Sequence, residues 1–380
     1  MSLHIPTKRS LHILPYVIVF SLGVLYRTIP EALIPKYPAG FETITYYAPA
    51  IIKFRNEGVL AVLRYLTRGL TFYFLMWNIV HLTHLTYSSV FIILKVTGPV
   101  LYGLLAVSYM FLLRSGLNFD EKTSLIATLI CISLPICLRI GWDRFVNMSG
   151  LIPMFLTLGL LGRRRKTKKH WYAIASLSLL AILSRELIAS VTLAALTGYF
   201  LYAKRERRFL FPILVSCYGA FLIIILPYLG VCFFPPDERF LVIPNPAKAA
   251  CPLPILVNYF PEGFSLNGYI KLCKHVLTLF TYAYLPIVPF LIKGTFRNRV
   301  MDFMVIWLLI GGIFNPLMFP FASVPYFQRW QTLLVFPFCA YLANSLSKLD
   351  VTHNRLLKGL NNKLPVLVVI PYITLGILLF

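Results

Sequence analysis

Three short stretches set ionisable groups beside aromatic ones in a chain otherwise poor in charge. The first is Pro38-Ala39-Gly40-Phe41-Glu42-Thr43-Ile44-Thr45-Tyr46-Tyr47-Ala48-Pro49, where a Pro/Gly turn presents one carboxylate ahead of two tyrosines. The second, Gly141-Trp142-Asp143-Arg144-Phe145, is a very short turn carrying an acid and a base. In the third, Ser323-Val324-Pro325-Tyr326-Phe327-Gln328-Arg329-Trp330, an arginine opens an apolar helix. Carboxylates can take a proton from a hydroxyl as general bases, and guanidinium forks hold phosphate bidentately. Each stretch taken alone also reads as an interface anchor, with Tyr and Trp in an aromatic belt and Arg reaching for headgroups.

The elements that must position these groups are membrane helices. Of 380 residues, 58% are hydrophobic and 13% charged, and the mean hydropathy is +0.77. A soluble domain carries about a quarter charged residues, so a water-soluble enzyme and a disordered chain are both excluded. Apolar runs near 11–29, 90–113, 123–141, 147–162, 171–184, 188–203, 210–231, 276–292, 301–319, 330–347 and 364–380 predict about 11 spans. The expected fold is all-α and polytopic, one membrane domain over 1–380 with outer loops 30–89 and 232–275.

Charge orients the spans. The chain has 36 Lys+Arg against 13 Asp+Glu, a formal +23. In a soluble protein this excess would suggest nucleic acid; here it is mostly the positive-inside bias, and no nucleic-acid partner is expected. The basic runs 163–169, 204–208, 293–299 and 348–363 are each separated from the next by two spans, so all four can face the cytoplasm together with the N-terminus. Residues 69–85 are apolar enough to cross, but a single crossing would invert every later loop. With Tyr73, Trp77, Asn78, His81 and His84, that segment reads as a helix lying in the headgroup zone, or as part of two short crossings within 58–95.

Eight acids then fall outside: Glu31, Glu42, Glu57, Asp143, Glu186, Asp237, Glu238 and Glu262. Arg139, Arg144, Arg185 and Arg329 sit at outer helix ends. Ionisable groups at the membrane boundary are costly when dehydrated, so this clustering is a functional signal. Ser184-Arg185-Glu186-Leu187 interrupts an apolar run, either as a plain turn or as the wall of a site. His81 and His84, at i and i+3, share a face that could meet a metal, but no third ligand is nearby and an interfacial position is the commoner role for such histidines. Cys232, Cys251 and Cys273 share the large outer loop, which allows one disulfide. No Walker A motif or dinucleotide loop is present.

At these residues the chain resembles the GT-C superfamily of membrane glycosyltransferases, and is most similar to archaeal proteins of the dolichyl-phosphate-mannose mannosyltransferase type. The resemblance lies in Gly40-Phe41-Glu42-Thr43-x-x-Tyr46-Tyr47, in Gly98-Pro99-x-Leu101-Tyr102-Gly103-Leu104-Leu105 opening the next span, in Trp142-Asp143-Arg144, and in the Arg329-Trp330…Pro337 helix start. It covers nearly the whole chain as architecture, through short motifs. It implies sugar transfer from a polyprenyl(dolichyl)-phosphate carrier to a glycan, lipid or protein acceptor on the outer face of the plasma membrane.

The catalytic acids it implies are Glu42, where the family usually has Asp, and Asp143. Arg329, with Arg144 and Arg185, would hold the departing phosphate, and Tyr46 and Tyr47 the sugar. No cofactor is required by these motifs, and a divalent cation is left open. Two other readings stand beside this one: a transporter or flippase for lipid-linked glycans, and an inactive relative serving as a scaffold.

Overall fold

The computed structural model describes residues 8–34, 36–40, 42–83, 87–163, 166–226, 259–260, 262–284, 299–320 and 327–349. Among them the regular structure is entirely helical. In chain order the helices are α1 (Lys8–Leu33), α2 (Ala48–Phe54), α3 (Leu66–Thr83), α4 (Tyr87–Phe111), α5 (Glu121–Ser133), α6 (Pro135–Asp143), α7 (Phe145–Leu161) and α8 (Lys168–Ile182). They continue with α9 (Glu186–Tyr202), α10 (Arg207–Ile225), α11 (Leu266–Tyr284), α12 (Arg299–Leu309), α13 (Asn315–Met318), α14 (Phe327–Leu333) and α15 (Val335–Leu349). Single π-type turns follow α4 and α12, and another, Thr43–Tyr47, leads into α2.

Four helical stretches are long and apolar enough to cross a membrane: Ile13–Leu33, Ser89–Gly116, Lys204–Ile225 and Val300–Met318. Glu121–Ser133 and Pro135–Gly141 make a fifth if the pair, bent by 73°, is one span. The sequence predicts one straight span over 123–141. The bend falls at Leu134, which is extended (φ −68°, ψ 132°), because Pro135 disfavours a helical residue before it. The apolar helices Phe145–Leu161 and Glu186–Tyr202 match the expected spans at 147–162 and 188–203 but stop short of crossing length. The expected span 364–380 lies outside the described residues.

Glycine sets the closest crossings. A Cβ on Gly23 of α1 would lie 3.1 Å from the Gly103 backbone of α4, so these two helices meet with nothing between them. α7 runs through the middle of the bundle, with 14 of its 17 residues buried, and packs on α4 and α8. Ile13, Leu25, Phe211, Leu222 and Ile306 instead point outward from α1, α10 and α12. Such apolar exteriors suit helices whose surroundings are hydrocarbon.

The segment 69–85 corresponds to α3, whose apolar part is only Gly69–Leu82. Gly69 has φ 131° and ψ 50°, and a Cβ there would press into Val146 at 2.5 Å. Only glycine both adopts that backbone and admits that approach.

Candidate functional site

The loop after α1 is tied down before it reaches Glu42. Glu31 Oε2 accepts the Ala39 N–H at 2.8 Å, and Gly40 turns the chain at φ 111°. Glu42 then stands at the mouth of the Thr43–Tyr47 turn. Tyr47 is buried, its ring stacked on Phe145 at 5.5 Å and packed against Phe72 and Tyr73. Its ring faces are taken by protein, and its hydroxyl donates to Glu42 Oε2 at 3.3 Å. Burial, followed by the nearby Glu42 charge, pushes the Tyr47 phenol well above its ordinary range, so it stays a neutral donor. Tyr46 is half-exposed in the same turn.

Arg329 reaches this carboxylate from the far end of the chain. Its Nη2 donates to Glu42 Oε1 at 2.7 Å, with the two side chains 14% and 21% exposed. α14 can aim that guanidinium because its other faces are fixed. Gln331 Nε2 donates to the backbone oxygens of Val276 and Gly312, the Tyr284 hydroxyl donates to Gln331 O, and Trp330 lies against Gly311.

Arg144 joins from the break between α6 and α7. It is 8% exposed, and its Nη1 donates to Thr332 Oγ1 at 2.8 Å. The Thr332 hydroxyl in turn donates to Arg329 O at 2.8 Å. Glu42, Arg329, Thr332 and Arg144 therefore form a polar chain that passes through the main chain of Arg329, whose guanidinium holds Glu42 and whose carbonyl holds Thr332. Asp143 ends α6 next to Arg144, but its side chain lies outside the described residues.

Arg185 lies near Tyr47. It caps α9 in an extended conformation, is 7% exposed, and donates to Asn147 Oδ1 and Glu186 Oε1, both at 3.4 Å. Its charge reaches Tyr47 and Tyr73. The Ser184-Arg185-Glu186 interruption is thus a tight turn with a buried cation.

Beside the polar chain opens a cavity of about 1150 Å³, lined by the α5–α6 bend, α11 and α14. Its lining mixes the polar Arg139, Arg144, Lys274, His275, Gln328 and Gln331 with the apolar Leu134, Pro135, Ile136, Leu277, Leu279 and Tyr282. None of its described lining residues is acidic. His275 contacts Gln328 across the two ring and amide nitrogens at 3.1 Å, and burial holds its imidazole below the usual value. Arg144 and Thr332 belong to both the cavity wall and the chain leading to Glu42.

Sequence reasoning missed Thr332, Lys274 and His275 as site residues, as well as the buried pair of Arg27 and Glu31. Thr332 stands one turn after Arg329, and Lys274 and His275 lie on α11, which begins ten residues before the expected span at 276. Among the described residues no group of three His, Cys, Asp or Glu side chains could hold a metal. His81 Nδ1 lies 3.0 Å from Trp77 O and its ring packs at a tilt against that indole, while His84 falls outside the described residues. Cys273 is a free thiol, and Cys232 and Cys251 also lie outside them. No protein-family model, curated protein or solved structure matches this chain.

Proposed function

We propose that the chain is a multi-pass membrane glycosyltransferase of GT-C-like architecture. It would have about 11 spans, an interfacial helix over 69–85, and a cytoplasmic N-terminus in the plasma membrane. Its reaction is transfer of a sugar from a polyprenyl-phosphate carrier to a glycan, lipid or protein acceptor on the outer face. The observation that carries this reading is the Glu42–Arg329 contact, made across 287 positions, with Gln328 and Thr332 of the same helix lining a cavity that holds both basic and apolar side chains. A lipid phosphate matches such a cavity: its tail is satisfied by hydrocarbon side chains and its head by cations.

The chemistry follows from the order of the groups. The acceptor hydroxyl oxygen attacks the anomeric carbon while Glu42 takes its proton. The bond from that carbon to the phosphate oxygen breaks, and the electron pair leaves with the polyprenyl phosphate. The guanidinium groups of Arg329 and Arg144 would meet the growing negative charge, Arg144 being tied through Thr332 to the Arg329 main chain. Tyr47 holds the free end of the carboxylate. Glu42→Gln keeps the shape and the Arg329 contact as a neutral amide but removes the base. Transfer from a labelled polyprenyl-phosphate sugar should then fall by about 100-fold or more. Full turnover by Glu42→Gln would sink the assignment.

A second reading, a flippase for lipid-linked glycans, is favoured by one feature. The α5–α6 bend lines the cavity, and broken helices at a binding site are typical of transporters. It predicts movement of the labelled lipid across the bilayer with no sugar transfer.

A further inference from the structure

Arg27 is the largest fully buried polar side chain in the described structure, and it lies away from the cavity. It sits one turn before Glu31 on α1, with Nη1 2.8 Å from Glu31 Oε1. A plain ion pair would end there. Arg27 also donates from Nε to Gly141 O at 2.9 Å, on α6, and from Nη2 to Ala39 O at 3.5 Å, in the loop after α1. Glu31 accepts the Ala39 N–H with its second oxygen, at 2.8 Å. Lys95 of α4 donates to Glu31 O and Ile34 O at 3.1 and 2.6 Å, closing the end of α1.

Neighbouring glycines make room for this guanidinium. A Cβ on Gly98 would lie 3.1 Å from Arg27 Nη2, and one on Gly141 would lie 3.5 Å from Arg27 Cδ and only 2.7 Å from the Tyr102 ring. The two segments that Arg27 joins are the two that carry the candidate chemistry. Glu42 follows Ala39 by three residues, one of them the Gly40 turn, and Arg144 follows Gly141 by three.

We infer that the Arg27–Glu31 pair is a positioning clamp, setting the distance between the Glu42 loop and the Arg144 turn. It touches no substrate and acts through the backbone at Ala39 and Gly141. The inference rests on the proposed sugar transfer for its effect on rate, though not for its effect on structure. An error of about 1 Å between reacting groups can cost on the order of 100-fold in rate, so a clamp of this kind is felt at the chemical step rather than in donor binding.

The test uses the full chain in lipid nanodiscs. Removing one partner alone strands a buried charge and can prevent folding, so the main variant is the double substitution Arg27→Met with Glu31→Leu. Replacing both members of a buried pair by apolar residues of similar volume usually preserves the fold. The double variant should keep its thermal midpoint, lose at least about tenfold in kcat, and hold KM for the polyprenyl-phosphate sugar within about twofold. Arg27→Lys restores the charge but cannot span both carbonyls, and should remain slow.

Backbone hydrogen exchange over 36–48 should accelerate in the double variant, while α7 stays protected. Wild-type kcat in either variant overturns the clamp, as does unchanged exchange over 36–48. If the wild-type chain transfers no sugar, the proposed function fails, and the exchange result alone decides the clamp.

Discussion

The pairing of Glu42 with Arg329 is the link on which the site depends, and a double-mutant cycle measures it. The perturbations are Glu42→Gln, Arg329→Gln and the two together. At a separation of 2.7 Å, an effective dielectric of about 20 gives an attraction of about 6 kcal/mol before desolvation. Both side chains are mostly buried, at 14% and 21% exposure, so dehydration of the two ions offsets a large part of that gain. A charge-assisted hydrogen bond of this kind leaves a net coupling of about 1–3 kcal/mol. Each single change should therefore lower the thermal midpoint of the protein in nanodiscs, and the double change should be less harmful than the two losses added. Strictly additive losses, with coupling below about 0.5 kcal/mol, would show that the two residues do not meet and would remove the geometric basis of the site.

Three further changes probe its surroundings. Thr332→Val removes the hydroxyl between Arg144 and Arg329 O; stability should fall by about 1 kcal/mol and donor KM should rise several-fold, measured by transfer kinetics. Tyr47→Phe keeps the ring stacked on Phe145 but removes its hydrogen bond to Glu42 Oε2, so turnover should fall less than in Glu42→Gln. Because burial raises the Tyr47 phenol, its contribution to stability is complete below the ordinary phenol value of about 10 and is lost as pH climbs beyond it. Thermal midpoints between pH 9 and 11.5 should drop less steeply in Tyr47→Phe than in the wild type. Gly69→Ala forces a Cβ into Val146 at a φ of 131°, and denaturation should show a loss of about 2 kcal/mol or more.

Much of the helical framework was legible in the sequence, because long apolar runs allow few alternatives. The expected segments 90–113, 147–162, 188–203 and 301–319 correspond to α4, α7, α9 and α12 with its π turn, within a few residues at each end. The bend at Leu134 was not foreseen, since a proline within an apolar run either kinks a helix or ends it and hydropathy does not distinguish the two. α11 began early because its first turns are amphipathic and carry Lys271 and Lys274, which a search for uniform hydrophobicity passes over.

At the site, scarcity was the useful signal. The chain has only 13 acids, and Glu42 and Arg329 stand out separately by residue type and position. Their contact across 287 positions is a product of packing and no local pattern encodes it. Arg27 and Glu31 did carry a local signature, opposite charges at i and i+4 near the end of an apolar helix. Tyr47 is expected with Tyr46 as a sugar contact; in the structure its ring is buried between Phe72 and Phe145 and its hydroxyl is turned to Glu42.

The central claim is sugar transfer from a lipid phosphate, and reconstitution tests it most directly. Purified protein in vesicles would receive a panel of radiolabelled polyprenyl-phosphate sugars with glycan, lipid and peptide acceptors. The expected result is label moving onto an acceptor with the wild-type chain and not with Glu42→Gln. Label crossing the bilayer still attached to its carrier would identify a flippase, and neither transfer nor movement across the full panel would identify a scaffold; either outcome contradicts the enzyme.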